Sequence, residues 1–382
     1  MNVHAAPRDG LSARLAQRLF PTWLDGALSL CTLAIVIWLA WSFGRWAFTQ
    51  ADWRVIGESL RFLMAGGLDR AQIWRAWAAS YLFLALVGLS LARLFDGRGW
   101  HWALGAALVL LSAESMLRLA LDTPLALPLL LFAALLLGWA GARLVTARWL
   151  VLAWVAGTIV MWQILIPGTG RAVGGLLLGT LVTVVAALGS FPLGVLLALG
   201  RTSRLPGVRM VCSGYIELVR SLPLISILFW AWMVVPLVLP ADIRINDVVR
   251  GTAGFVLFYA AYVAEYVRGG LQGIPAGQWG ASWSLGMTTA QTLRHVILPQ
   301  AIRTVLPGLV GNVLDIFNNV PLLFIIGLTE FVRAGQVVLS NPQHSDQLYE
   351  VYVFMFAVYL LIAMVLSWSA RVVEQKGRAA SA

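Results

Sequence analysis

The chain has 382 residues, of which 60% are apolar and only 12% are charged. In soluble proteins about a quarter of the residues are charged, and a soluble protein with so much apolar surface would aggregate. We therefore expect a polytopic membrane protein. The formal net charge is +10, but the arginines stand singly or in pairs beside apolar runs, which fits membrane orientation and argues against nucleic-acid binding.

Apolar runs of about 20 residues, the length that crosses the hydrocarbon core of a bilayer, recur along the chain. We predict ten membrane-spanning helices at residues 26–44, 76–95, 101–121, 125–142, 149–166, 173–200, 211–238, 251–267, 304–333 and 350–371. Pro307 and Pro321 predict that the ninth span is broken or tilted.

The turn residues Pro167, Gly168, Thr169 and Gly170 separate two groups of spans. We predict an N-terminal cytosolic segment at 1–25, a first transmembrane region at 26–170 and a second at 171–382. Most lysines and arginines then fall on the cytosolic side, as the positive-inside rule requires. The loop from Gln50 to Arg75 argues against this orientation for the first five spans, because it carries four arginines outside.

A polar stretch at 265–300 interrupts the apolar runs and reads EYVRGGLQGIPAGQWGASWSLGMTTAQTLRHVILPQ. We expect its first helix to be broken by Gly269, Gly270, Gly273 and Pro275. A short helix from Ala276 to Leu285 should follow and end at Gly286, because glycine is favoured just after a helix. A second amphipathic piece should run from Thr289 to Ile297. A short helix between two breakers forms a compact knob that could sit in the groove of another protein.

This stretch resembles the coupling loop, or EAA loop, of ABC-importer permeases. The family pattern is Glu-Ala-Ala, three residues, Gly and, further on, Ile-Leu-Pro. It corresponds here to Gly280, Ala281, Ser282, Gly286, Ile297, Leu298 and Pro299. The flanking sequences VRGGLQGIP and QTLRHVILPQAIR, with YIELVRSLPL upstream and IIGLTE downstream, are similar to the polar amino-acid branch of the family. The long N-terminal half resembles the M-type permease subunit of general L-amino-acid transporters. The chain departs from the family at Gly280, which replaces Glu, at Ser282, which replaces the second Ala, and at Asn318 and Asn319, which stand where relatives usually carry Lys-Asp.

The resemblance implies an all-α fold with a five-helix type I importer core at 171–382, preceded by about five accessory helices. It also implies a function: a permease subunit of an ATP-driven amino-acid importer in a bacterial inner membrane. The implied partners are an ATP-binding cassette ATPase dimer, a second related permease, a periplasmic amino-acid-binding protein and the lipid bilayer. In this interpretation the coupling loop lies in the cytosol and contacts the ATPase.

Sequence motifs for chemistry within the chain itself are absent. The pattern G-x-x-x-x-G-K-[ST], which binds nucleotide phosphates, does not occur. The four histidines, His4, His101, His295 and His344, lack the spacing of metal ligands. We therefore expect no catalytic residues, no metal and no cofactor in this chain, and ATP hydrolysis in a partner.

Polar residues within the predicted spans are the candidates for a substrate path, because a charge in lipid is costly. Glu114 and Arg118 share a helix face and most simply form a structural pair. Glu217 and Arg220 could serve the path or its gate, or anchor a helix at the interface. A polar face on the ninth span could bind a zwitterion or join helices; it comprises Asn312, Asp315, Asn318 and Asn319.

Two other functions remain open at this point. A diverged, non-transporting scaffold would explain the loss of the coupling-loop Glu at position 280. A stand-alone secondary transporter would need intramembrane acids and often shows inverted repeats; acids are present, but we see no repeat.

Overall fold

The structure is a computed structural model that describes residues 22–94, 126–142, 145–166, 173–240 and 242–379. In these ranges the regular structure is helical, apart from one isolated bridge between Gly175 and Glu330. The predicted third span at 101–121, with Glu114 and Arg118, and the predicted turn at 167–170 lie outside the described residues. The all-α class is confirmed.

The chain divides after Gly57 into two compact units. The first unit contains helix α1 (Trp23–Thr49). The hydroxyl of Thr22 caps α1 by accepting a hydrogen bond from the Asp25 amide at 3.2 Å. Gly26 is its buried residue, and large apolar side chains are exposed all around it. A helix that is apolar on every side fits a lipid environment.

Three accessory helices in the second unit pack on one another and on the following core: α3 (Ile73–Leu94), α4 (Ala126–Gly141) and α5 (Ala147–Leu165). The short helix α2 (Arg54–Ala65) precedes them and crosses the boundary between the units. A side chain at Gly88 of α3 or Gly138 of α4 would collide with the backbone of the facing helix. Small residues are therefore what allows α3 and α4 to approach closely, as is usual in lipid.

The core is built around α6 (Gly175–Arg201) and α10 (Asp247–Gln272), which make the most extensive contact among the described helices. A side chain at Gly194 would place its Cβ 2.6 Å from the Cβ of Val263. The buried cluster between them includes Leu178, Val182 and Phe255.

The predicted single span at 211–238 is instead a sharply bent pair. Helix α7 (Pro206–Ser221) is followed by α8 (Leu224–Phe229), a π turn (Trp230–Val234) and α9 (Val235–Val238). The two halves are bent by 106°. The bend occurs at Pro223, which has no amide hydrogen and disfavours a helical conformation in the residue before it.

The stretch at 265–300 contains less loop than we expected. Helix α10 continues through Gly269 and Gly270 to Gln272, so the prediction that these two glycines break it is wrong. Gly270 is held by tertiary packing, because it lies directly against Ala301 of the later helix. The short helix α11 (Ala276–Ser284) and the left-handed Gly286 at φ 76° agree with the prediction.

The second half of this stretch is part of one long helical run. Helix α12 (Thr289–Thr292) passes through a π turn (Leu293–Ile297) into α13 (Leu298–Asn319), which continues through Pro307 and ends in a 3₁₀ turn (Val320–Ile326). The helix is therefore not broken at Pro307, and it changes from α to 3₁₀ next to Pro321. Two helices follow, α14 (Phe331–Leu339) and α15 (Leu348–Ala379).

Six helices of the described residues are long and apolar enough to cross a membrane, and the bent α7–α9 pair makes a seventh if it is counted as one span. The chain is a multi-pass membrane protein.

At the end of the core opposite Arg201, the start of α6 is held by two backbone hydrogen bonds. One runs from the Gly174 amide to the carbonyl oxygen of Ala65 (3.1 Å), and the other from the Gly175 amide to the carbonyl oxygen of Thr329 (2.8 Å).

Candidate functional site

Helix α11 projects at the Arg201 end of the core and presents apolar and small residues to solvent. Trp283 is 52% exposed and Leu285 is 80% exposed. Gly280 and Ala281 lie on the same exposed helix. Ser282 differs, because it is buried and its hydroxyl donates to the carbonyl of Gln278 at 2.8 Å. The candidate contact surface of α11 is therefore Gly280, Ala281, Trp283 and Leu285, and Ser282 supports it from behind.

Hydrogen bonds stabilise the segment that follows α11, and one of them joins α11 to α13. Thr288 and Gln291 form a capping box at the start of α12, in which each side chain bonds the backbone amide of the other residue. The amide of Gln300 donates to Oε1 of Gln278 at 3.3 Å and joins α13 to α11. The short helix is thus joined to α13 by one side-chain hydrogen bond and follows α10 after a three-residue connection at 273–275.

The Ile-Leu-Pro part of the predicted motif sits where α13 begins. Ile297 is fully buried, Leu298 is half-buried and Pro299 is exposed. A proline inside a helix removes one hydrogen bond, and its ring crowds the carbonyl four residues earlier. The π turn at Leu293–Ile297 widens the helix where that crowding falls. This motif therefore shapes the helix behind α11 and anchors it through Ile297.

A cluster of charged side chains lies where α6, α7 and α10 end. Glu265 on α10 accepts hydrogen bonds from Arg201 (3.5 Å) and Arg268 (3.0 Å from Nε) and pairs with Arg220 at 3.2 Å. Arg201 also donates to Glu217 at 3.0 Å. The hydrogen bond from Arg268 lowers the pKa of the Glu265 carboxyl, although partial burial opposes the shift. Glu217 and Arg220 are therefore members of one ion-pair cluster, with different partners.

A cavity of about 380 Å³ opens between α8, α10 and α13. The polar side chains that line it include Tyr259, Tyr262, Asp315 and Asn319. Asn319 donates to the hydroxyl of Tyr259 at 3.1 Å and to the carbonyl of Asp315 at 2.9 Å. The remaining lining residues are Pro223, Leu224, Ile225, Phe258 and Leu322.

The predicted polar face of α13 is only partly in this cavity. Asp315 and Asn319 line it, whereas Asn312 is buried one turn before them and Asn318 is exposed away from it. Tyr259 and Tyr262 contribute hydroxyls that we did not predict from the sequence. The signal was present in the sequence FYAAY at 258–262, which places three aromatic rings on neighbouring positions of one helix.

Comparison with known proteins agrees with this architecture. The family described as "Binding-protein-dependent transport system inner membrane component" matches residues 190–378. The inner membrane amino-acid ABC transporter permease protein YhdY of Escherichia coli K12 is 31% identical over 379 residues, which cover 94% of this chain and 91% of YhdY. The chain belongs to the amino-acid ABC transporter permeases.

Other relatives match only about half of the present chain. The permease protein BztC of the glutamate/glutamine/aspartate/asparagine transport system of Rhodobacter capsulatus is 35% identical over 204 residues, or 53% of this chain and 47% of BztC. The glutamate/aspartate import permease protein GltK of Escherichia coli O6:H1 is 30% identical over 208 residues, or 53% of this chain and 92% of GltK. The resemblance predicted from the coupling-loop residues is confirmed.

Proposed function

We propose that this permease forms the substrate path of an ATP-driven amino-acid importer in a bacterial inner membrane and is moved by a separate ATPase that contacts α11. The observation that carries the proposal is the form of α11: a short exposed helix with small and apolar residues, which follows α10 after a three-residue connection and is hydrogen-bonded to α13. A partner that pushes on α11 would act directly on α10 and α13, which border the polar cavity.

The polar cavity is the proposed substrate path. The Asp315 carboxylate can accept hydrogen bonds from the ammonium group of an amino acid. The Asn319 side-chain amide and the tyrosine hydroxyls can donate hydrogen bonds to the carboxylate of the same amino acid. Side chains that present both donors and acceptors suit a zwitterion, since neither of its charged groups is then left unpaired.

The proposed orientation follows from charge. The short connection from Arg201 to Arg209 carries three arginines and lies at the same end as α11. The positive-inside rule places such a short basic loop in the cytosol. This places α11 where an ATPase dimer would be. The family description, binding-protein-dependent transport, supports a periplasmic amino-acid-binding protein as a further partner. A second, related permease is the partner that the family resemblance implies.

Uptake by the assembled complex in proteoliposomes tests this function. Ala281→Arg should abolish ATP-dependent uptake of amino acids while membrane insertion is unchanged, because a long charged side chain would stand on the proposed contact surface. Gly207→Arg is the matched control, because Gly207 is exposed at the same end of the core and has open space around it. Wild-type uptake in Ala281→Arg would reject the coupling assignment.

The two other functions predict different results in the same assay. A secondary transporter would continue uptake without ATP and stop when an ionophore removes the ion gradient. A non-transporting scaffold would show no uptake even in the wild-type complex.

A further inference from the structure

We propose that Glu265 is a positioning residue that links the polar cavity to α11, so that occupancy of the cavity is sensed by the ATPase. This inference rests on the proposed function, because it concerns the route between the proposed substrate path and the proposed coupling helix. It is carried by contacts that run from the polar cavity through the charged cluster to a second cavity, which α11 also lines.

Glu265 is the shared partner of arginines from three helices. Arg201 comes from the end of α6, Arg220 from the end of α7 and Arg268 from the last turns of α10 itself. About a quarter of the Glu265 side chain is exposed (24%), so solvent screens its contacts less than those of a surface pair. One carboxylate therefore sets the position of three guanidinium groups, and its loss would leave them to repel one another.

On one side the contacts reach the polar cavity. The guanidinium of Arg220 lies over the ring of Tyr262, 5.6 Å from its centroid. Tyr262 forms part of the cavity wall together with Tyr259 and Asp315. A ligand that displaces the Tyr262 ring would move Arg220 and therefore change its contact with Glu265.

On the other side the contacts reach α11. Arg268 donates to Gln272 at 2.7 Å. Both side chains line a second cavity, of about 480 Å³, and Trp279 of α11 lies in the same lining. Trp279 packs against Trp283, with 6.0 Å between the ring centroids. A shift of Arg268 would therefore change the shape of the cavity against which Trp279, at the base of the exposed surface of α11, is placed.

An interfacial anchor would need only some of these contacts. Pairing Glu265 with Arg268, three residues away on the same helix, would suffice to neutralise both charges. The additional contacts of Glu265 join three helix ends, and they lead to the wall of the polar cavity and to the second cavity beside α11. An arrangement that reaches both sites is what transmission requires, and a measured coupling between its members is what proves it.

The test measures ATP hydrolysis by the complete complex, purified with its ATPase and binding protein and placed in nanodiscs. Rates are compared with and without an equimolar mixture of the proteinogenic L-amino acids. We expect Glu265→Gln to assemble and to reduce the stimulation by amino acids at least about fivefold, within the usual range of coupling between sites. Arg220→Gln should have a similar effect, because it breaks the next contact. Arg209→Gln is the matched control on the same helix α7, because Arg209 is exposed and makes no ion pair within the described residues.

A double-mutant cycle separates transmission from simple loss of stability. If Glu265 and Arg220 act in series, the double variant should lose no more stimulation than either single variant, whereas independent effects would multiply. Thermal denaturation of the same samples reports stability separately. Unchanged stimulation in Glu265→Gln, or multiplied losses in the double variant, would overturn the inference.

A second pair of variants covers the case in which Glu265→Gln does not assemble. Arg220→Lys keeps a cation that can pair with Glu265 and should retain more of the stimulation, whereas Arg220→Leu removes the charge and should lose it. Equal stimulation in both would also overturn the inference. Failure of the proposed function is distinguishable, because the wild-type complex itself would then show no stimulation and no uptake.

Discussion

The packing of Gly270 against α13 gives a direct test of how the coupling helix is held. A Cβ at this position would lie 2.7 Å from the carbonyl oxygen of Ala301 and 2.8 Å from Cγ1 of Val305. The first of these atoms belongs to the backbone, so a side-chain rotation cannot relieve the contact. We expect Gly270→Ala to force α10 and α13 apart, next to α11.

The neighbouring Gly269 supplies the control that isolates this effect. It is exposed in the same helix, and no atom lies within 4 Å of the Cβ that alanine would add. Both substitutions gain about 0.8–1.0 kcal/mol of helix propensity, but only Gly270→Ala incurs the cost of overpacking, about 1–3 kcal/mol. The difference between the two variants is therefore the packing cost alone.

Thermal denaturation of the chain in nanodiscs, followed by size-exclusion fluorescence, measures this difference. Gly269→Ala should denature at or above the wild-type temperature, and Gly270→Ala a few degrees below Gly269→Ala. Gly270→Ala should also reduce ATP-dependent uptake, because the helices that flank α11 are displaced. Equal denaturation temperatures for the two alanine variants would refute the conclusion that close packing of Gly270 on α13 is what keeps α10 helical through its two glycines.

The helix boundaries show which features local sequence can predict. Helix α11 and its end at Gly286 followed from local signals, because a residue after proline and a glycine with positive φ act on their own segment. The continuation of α10 through Gly269 and Gly270 did not, since it depends on Ala301, about thirty residues further on. Helix propensity accounts for the entropic cost of placing glycine in a helix, but it does not include the close tertiary contact that only glycine permits.

The charged cluster shows the same limit for side chains. Spacing placed Glu217 and Arg220 together on one helix, and the structure gives them separate partners. Glu217 binds Arg201, sixteen residues earlier, and Arg220 pairs with Glu265, which is forty-five residues later. Such pairs depend on how helix ends meet, so the family resemblance located the region, and only the fold determined which charges neutralise each other.

Three further substitutions test the coupling helix and the cavity. Gly280→Glu restores the carboxylate of the family pattern at an open, exposed position, so it should leave folding intact and raise the affinity of the permease for the ATPase. Gly277→Glu on the same helix is the control and should not raise that affinity. Equal affinities of the two variants for the ATPase would reject a role for the carboxylate at position 280. Thr288→Ala removes the capping box and should lower stability by about 0.5–2 kcal/mol, seen as faster proteolysis within 273–288; an unchanged rate would show that α12 is held by its packing alone. Asp315→Asn keeps the size of the side chain but removes the charge that faces the cavity. Because a hydrogen bond to a charged group contributes about 1.5–3 kcal/mol, and 1.4 kcal/mol is a factor of ten in affinity, the KM for amino-acid uptake should rise roughly 10- to 100-fold. Asn318→Ala, which lies outside the cavity lining, should leave KM near wild type, and a larger effect there than at Asp315 would move the substrate path to the other face of α13.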